Sequence, residues 1–149
     1  MSVWFEGTSQ LNCTLEDVQQ SLTNPGEHYL EVIRLMPGLT SVELVDQSDD
    51  ALTIETNEGL MRRSNLTKRI EAGRVVVDVD EVYEAGSRIT VSSRFHDEFT
   101  TSESGVTYHL VISNVQAPGL GGFFYRRFGS SKIGKALLAA TKARFESSS

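Results

Sequence analysis

Arg127 is the first residue in this sequence whose position suggests chemistry. On a helical wheel it lies about 20° from Leu120 and Leu138, in the middle of the apolar stripe of a C-terminal helix. An unpaired buried charge is very costly, so this arginine must be paired or must reach an opening. Its planar guanidinium suits a carboxylate, phosphate or enolate oxygen of a ligand. The alternatives are a salt bridge to a carboxylate such as Glu81, or a side chain that reaches solvent, and Arg126 can exchange roles with it.

Glu81 is the second such residue, because it shares strand parity with an apolar row. That row comprises Val75, Val77, Val79 and Tyr83. An inward glutamate is either a proton-transfer group with a raised pKa or the ion-pair partner of Arg127. A β-bulge would instead turn it towards water. We expect a structural or exposed role for Glu81 rather than a catalytic one.

Hydroxyl and amide side chains fall on the apolar faces of two further strands. Tyr108 and Asn114 share one face of the last strand, and Ser93 lies between Val91 and Phe95. A tyrosine offers both a ring and a hydroxyl, which suits the orientation of a ligand, although such residues are more often simply core. The predicted ligand-binding residues are Val79, Glu81, Tyr83, Val91, Ser93, Phe95, Tyr108, Leu110, Asn114, Phe124, Arg127, Phe128 and Leu138. No catalytic residue is assigned.

Metal and nucleophile chemistry find little support in the sequence. His28, His96 and His109 do not approach a metal-ligand spacing, and Cys13 is far from all of them. His96 and His109 fall on adjacent predicted strands, where they are able to pair across the outer face. No nucleophile elbow, phosphate loop or dinucleotide-binding glycine motif occurs. We therefore expect no metal and no cofactor, and we interpret Cys13 as a small packing residue.

The elements that must position these residues begin with a strand and two short helices. Residues 3–12 have the alternation of a strand. Thr14 caps a first helix, with Asp17 three residues further on, and Pro25–Gly26 end it. A second helix follows, and Pro37–Gly38 end it. Its apolar face comprises Tyr29, Val32, Ile33 and Met36.

From residue 40 to residue 116 the sequence predicts about six antiparallel strands separated by turn signals. One face of each strand is apolar and the other is polar, as an antiparallel sheet allows. The stretch 117–149 then contains one long amphipathic helix. Its apolar stripe comprises Leu120, Phe124, Leu138 and Phe145.

Size and composition limit the possible partners. A chain of 149 residues predicts a single domain, residues 1–149. The net charge of −6 argues against nucleic acid or an anionic membrane as the main partner. The single cysteine favours a cytoplasmic location, and no signal peptide is evident. No window approaches the roughly 18 apolar residues of a membrane span, so we expect no integral membrane association.

The order of elements resembles that of the START-like or SRPBCC superfamily, which includes polyketide cyclase/dehydrase-like proteins. The resemblance is carried by "TLEDVQQSLTNPGEHYLEVIRLMPG", by "GVTYHLVISNVQAPGLGGFF" and by the long final helix, and it covers nearly the whole chain. It implies an α+β helix-grip fold, in which a curved antiparallel sheet of about seven strands wraps around the C-terminal helix. Such a helix covers the concave side of the sheet and leaves a cavity, unless side chains fill it.

Three functions are compatible with this resemblance, because a fold does not settle chemistry. We expect a binder of a small hydrophobic or amphipathic ligand, lipid- or polyketide-like, in the cavity between sheet and helix. The alternative is a polyketide cyclase or aromatase-type enzyme in the same cavity. An enzyme of that kind predicts a titratable group of shifted pKa beside a hydrogen-bond donor. An interaction module with a filled core is the third possibility, and the sequence does not determine the oligomeric state.

Overall fold

The computed structural model describes residues 2–85, 89–117, 119 and 130–146. In this part of the chain it contains seven strands and three helices. The strands are β1 (Val3–Leu11), β2 (Val42–Gln47), β3 (Leu52–Thr56), β4 (Gly59–Glu71), β5 (Arg74–Ala85), β6 (Ile89–Ser102) and β7 (Gly105–Gln116). The helices are α1 (Leu15–Ser21), α2 (Pro25–Arg34) and α3 (Ser130–Glu146). The predicted order of one strand, two short helices, six strands and a C-terminal helix is confirmed.

The strands form one antiparallel sheet in the order β1-β7-β6-β5-β4-β3-β2. Consecutive strands from β2 to β7 pair with one another, and β1 pairs with β7 at the opposite edge of the sheet from β2. Short turns suffice for such consecutive hairpins, which is why the turn signals in the sequence located the strands well. The sheet is curved and open, as expected.

The two short helices are defined by their caps. The Thr14 hydroxyl accepts a hydrogen bond from the Asp17 backbone nitrogen, and the Asp17 carboxylate accepts one from the Thr14 nitrogen, which completes a capping box for α1. Asn24 caps α2, and Pro25 is its first residue. The prediction that Pro25 ends the first helix was therefore incomplete, because proline also fits the first turn of a helix, where no backbone N–H is needed.

All three helices pack on the inner face of the sheet. α3 lies chiefly against β1 and also contacts α2 and β7. Gly134 of α3 faces the Phe5 ring so closely that a Cβ at this position would overlap it. The core between these layers is built from the inward rows of the strands and the apolar faces of the helices. No helix in the described part of the chain has the length and apolar character needed to cross a membrane.

Candidate functional site

Charged and hydroxyl side chains meet in the middle of the inner face, between the sheet and the helices. Register places Arg63 of β4 beside Glu81 of β5, and Asp97 of β6, opposite Val77, lies on the same face and lines the same cavity as Arg63. Helix α2 adds Tyr29 and strand β7 adds Tyr108. Each of these five side chains is less than a tenth exposed. We call them the Arg63 cluster.

Arg63 and Glu81 form a buried ion pair. Nε and Nη2 of Arg63 both lie 2.9 Å from Oε2 of Glu81. The guanidinium carbon lies 4.6 Å from the ring centroid of Tyr29 and 4.5 Å from that of Phe95, which adds cation–π attraction. Burial alone would lower the pKa of Arg63, but Glu81, Tyr29 and Asp97 outweigh burial and raise it. Arg63 is therefore a permanent cation in the interior.

Asp97 is bound by two tyrosine hydroxyls. The Tyr29 hydroxyl donates to Oδ2 and the Tyr108 hydroxyl donates to Oδ1, each at 2.6 Å. Burial raises the pKa of Asp97, although both tyrosines and Arg63 act in the opposite direction. Burial, together with Asp97, also raises the pKa of each tyrosine well above its usual value. Both tyrosines therefore stay neutral donors, and Asp97 is the group whose proton affinity burial has increased.

A cavity of about 10 Å³ adjoins the cluster. This is close to the smallest space that holds one water molecule. Its lining comprises Tyr29, Val32, Ile33, Arg63, Phe95, Asp97, Tyr108, Leu110, Leu137 and Thr141. Polar groups line one part of it, and apolar side chains from α2, α3, β6 and β7 line the rest. Side chains therefore nearly fill the space beside the Arg63 cluster.

The structure brings part of the predicted site together. Phe95, Tyr108 and Leu110 line the cavity. The inward position predicted for Glu81 is confirmed, and its partner within the described residues is Arg63. Val79, Val91 and Ser93 are buried on the inward rows but lie outside the cavity lining, and Tyr83 is half-buried. Phe124, Arg127 and Phe128, which were also predicted to bind the ligand, lie outside the described residues.

Two predicted positions differ from expectation. Asn114 is exposed, because the pairing of β6 with β7 shifts register at this point and Asn114 takes a left-handed backbone with φ of 55°. Such a bulge ends the alternation of faces, and Ser113 is buried instead. Leu138 is half-buried and lies beside Gly7 of β1, whereas Leu137 and Thr141 of α3 face the cavity.

Sequence reasoning missed Arg63, Asp97, Tyr29 and Thr141 as site residues. Asp97 lies two residues from both Phe95 and Phe99, so strand parity was a usable signal. Tyr29 was correctly assigned to the apolar face of α2, but nothing in the sequence connects that face to β6. The pairing of Arg63 with Glu81 depends on the register of β4 and β5, and the shift within this hairpin hides it from the sequence.

The histidines and the cysteine do not add a second reactive centre. His96 hydrogen-bonds Asp78 and His109 hydrogen-bonds Glu6, each at 2.7 Å, so the suggested pairing of these two histidines is wrong. Burial and Asp17 raise the pKa of the Cys13 thiol to about 11, which keeps it protonated. In the described ranges, no three His, Cys, Asp or Glu side chains are placed to hold a metal ion.

A more open cavity of about 350 Å³ lies between the ends of α1, α2 and α3. Its lining comprises Asp17, Gln20, Ser21, Thr23, Asn24, Glu27, Arg144 and Phe145. Asp17 and Asn24 serve there as helix caps. Most of this lining is exposed, in contrast to the Arg63 cluster.

Several solved structures, two of them of START-related proteins, have the same architecture. The chain superimposes on a STAR-related lipid transfer protein from Xanthomonas axonopodis with a TM-score of 0.64 and 13% identity, over 95% of this chain and 84% of that one. A START superfamily protein from Mycobacterium smegmatis gives 0.58 and 12%, over 97% of each chain. A protein from Rhizobium leguminosarum gives 0.63 and 11%, over 95% and 93%.

No protein-family model matches the chain, and no curated protein matches it either. The superpositions show that the fold is the START-like helix-grip fold, as predicted from the order of elements. At these sequence identities the likeness defines the fold alone, so a function has to be argued from the Arg63 cluster itself.

Proposed function

We propose that this protein binds a small amphipathic molecule between the sheet and α3, with the polar end of the ligand at the Arg63 cluster. The observation that carries the proposal is the burial of Arg63, Glu81 and Asp97 around a cavity on the inner face. A START-like fold supports a pocket at this place. The cytoplasmic location expected from the single cysteine stays a prediction.

Burial of these charges is difficult to explain by stability. Removing two ions from water costs several kcal/mol, and well-packed apolar residues in the same place are often equally or more stabilising. Asp97 adds a further carboxyl group in the same interior. A cluster of buried charges that lines a cavity is typical of a binding or catalytic site.

The apolar part of the lining indicates where the body of the ligand lies. Val32 and Ile33 of α2 line the cavity together with Leu137 of α3 and Leu110 of β7. A ligand larger than water enters when these side chains move apart. Because α2 and the C-terminal helix α3 supply the helical part of the lining, their separation from the sheet opens the site without breaking strand pairing.

The first test is native mass spectrometry of the protein purified from its host organism, before and after organic extraction. A small molecule that leaves on extraction supports the proposal and reveals its chemistry. Ile33→Phe should then reduce the bound fraction, because Ile33 lines the cavity. Leu35→Phe is the matched control, since Leu35 is 46% exposed at the end of the same helix. Equal occupancy in both folded variants would argue against this cavity.

A second candidate function is proton-transfer catalysis of the polyketide cyclase or aromatase kind. Asp97 favours it, because it is a carboxyl group of raised pKa beside two hydroxyl donors and near a guanidinium. In such a step, Asp97 takes a proton from the carbon next to a ketone whose oxygen accepts a hydrogen bond from Arg63.

Deuterium exchange at the α-carbons of 2-decanone in D₂O tests the second candidate. Asp97→Asn is expected to slow exchange by roughly 10²- to 10⁴-fold, the range typical of general acid–base catalysis. Asp80→Asn is the control, because Asp80 lies on the outer face in an exposed pair with Arg94. Exchange no faster than in protein-free buffer would remove the catalytic candidate and leave the binding proposal intact.

A further inference from the structure

We propose that the Arg63 cluster accepts an uncharged oxygen group, a hydroxyl or a carbonyl, and excludes a carboxylate or phosphate head group. This inference rests on the proposed function and adds to it the charge of the ligand.

The balance of charge around the cavity argues for exclusion of anions. Arg63 is the cation of the cluster, and it is already paired with Glu81 at 2.9 Å. Asp97 brings a second carboxyl group to the lining of the same cavity. A ligand carboxylate would therefore meet two protein carboxyl groups and a guanidinium whose charge is already neutralised. It would also lose its hydration without gaining a free cation.

The unused hydrogen-bonding capacity favours a neutral oxygen. Arg63 directs Nε and Nη2 to Glu81. A guanidinium carries more N–H donors than these two, so a carbonyl or hydroxyl oxygen is able to accept from one that does not point at Glu81. Each oxygen of Asp97 accepts one tyrosine hydroxyl, and a carboxylate oxygen has a second lone pair for a ligand hydroxyl.

The apolar side chains complete the description of the ligand class. They require a hydrocarbon body next to the neutral head group. Long-chain or cyclic alcohols and ketones meet both conditions. Fatty acids and phosphate esters meet the apolar condition but fail the charge condition.

The test compares head groups on a constant chain. 1-Decanol, 2-decanone and decanoate compete at pH 8 with N-phenyl-1-naphthylamine, an uncharged fluorescent probe of apolar cavities. We expect the alcohol or the ketone to bind at least about tenfold more tightly than decanoate, because like charges repel strongly at low dielectric. Decanoate binding as tightly as both neutral compounds would overturn the inference and leave the proposed function standing. Failure of the probe and of all three compounds to bind would contradict both the inference and the proposed function.

Substitution of Asp97 tests the cause of the selectivity. Asp97→Asn keeps the shape and removes one negative charge, so we expect the preference for decanol over decanoate to fall by about tenfold. Asp80→Asn is the matched control on the outer face, and its preference should equal that of the unsubstituted protein. An unchanged preference in folded Asp97→Asn would contradict the role given to Asp97. If that variant does not fold, the comparison of head groups on the unsubstituted protein still decides the inference.

Discussion

The buried pair of Arg63 and Glu81 allows a quantitative prediction about stability. Their side chains are 2% and 9% exposed, and two guanidinium nitrogens contact one carboxylate oxygen at 2.9 Å. Arg63→Met leaves an unpaired buried carboxylate, and Glu81→Gln leaves an unpaired buried guanidinium. Each single change should cost about 3–5 kcal/mol of unfolding free energy. That is a large fraction of the roughly 5–15 kcal/mol that holds a domain of this kind together.

Replacement of both partners should have a very different effect. Arg63→Met combined with Glu81→Leu removes both charges together, and we expect a stability equal to the unsubstituted protein or higher by about 1–4 kcal/mol. The same double variant should lose the ligand, because the polar end of the site is gone. Stability gained together with function lost would identify the ion pair as a feature that serves binding.

Urea unfolding at pH 7, followed by circular dichroism, measures these free energies. The exposed pair of Arg62 and Glu84 is the control, since it lies on the same two strands, is 56% and 41% exposed and has a contact of 2.7 Å. Its single changes should cost less than about 1 kcal/mol. The reasoning would be refuted if Arg63→Met cost no more than Arg62→Met. The reasoning would be refuted equally if the double variant lost as much unfolding free energy as the two single variants together.

Three further predictions concern the pH dependence of stability, packing and helix capping. Burial, together with Arg144 and Arg63, lowers the pKa of His28 to about 3. Below pH 6.5 the unfolded chain binds this proton and the folded chain does not, so stability should fall between pH 6.5 and 3, by at most roughly 4–5 kcal/mol. Unfolding titrations at several pH values should show this loss relative to His28→Asn, and a pH-independent difference between the two proteins would contradict it. Gly134→Ala should lower the free energy of unfolding by about 1–3 kcal/mol through overlap with Phe5, and the better helix propensity of alanine should offset about 1 kcal/mol of that loss. In a Phe5→Ala background, where the overlap is gone, the same change should stabilise the protein. Thr14→Ala should cost about 1 kcal/mol in thermal unfolding and Thr14→Ser much less, because the serine hydroxyl keeps the cap; equal losses would exclude the capping box as the cause.

Local patterns predicted the elements well, for physical reasons that act over a few residues. The alternation Val75, Val77, Val79 placed Glu81 inward on β5, because side chains on a strand repeat every two residues. The same rule misplaced Asn114, since a bulge breaks the period and such breaks leave little trace in the sequence.

The site itself needed the tertiary structure. Parity indicates that Asp97 faces inward, but it does not say which hydroxyls will meet it. Tyr29 is 68 positions away in sequence and reaches Asp97 because α2 docks on the sheet. Arg63 reaches Glu81 across the β4–β5 hairpin in spite of its register shift.

The sequence by itself determined the order of elements and most of the inward rows. These features follow from periodicity, caps and turn residues, all of which are short-range. The resemblance of that order to START-like proteins then predicted the helix-grip fold. The tertiary structure decided which charges share the interior and how much space remains between sheet and helix. Strand register and helix docking are set by packing over the whole chain, so the partner of Glu81 and the 10 Å³ cavity appear only once the layers are assembled.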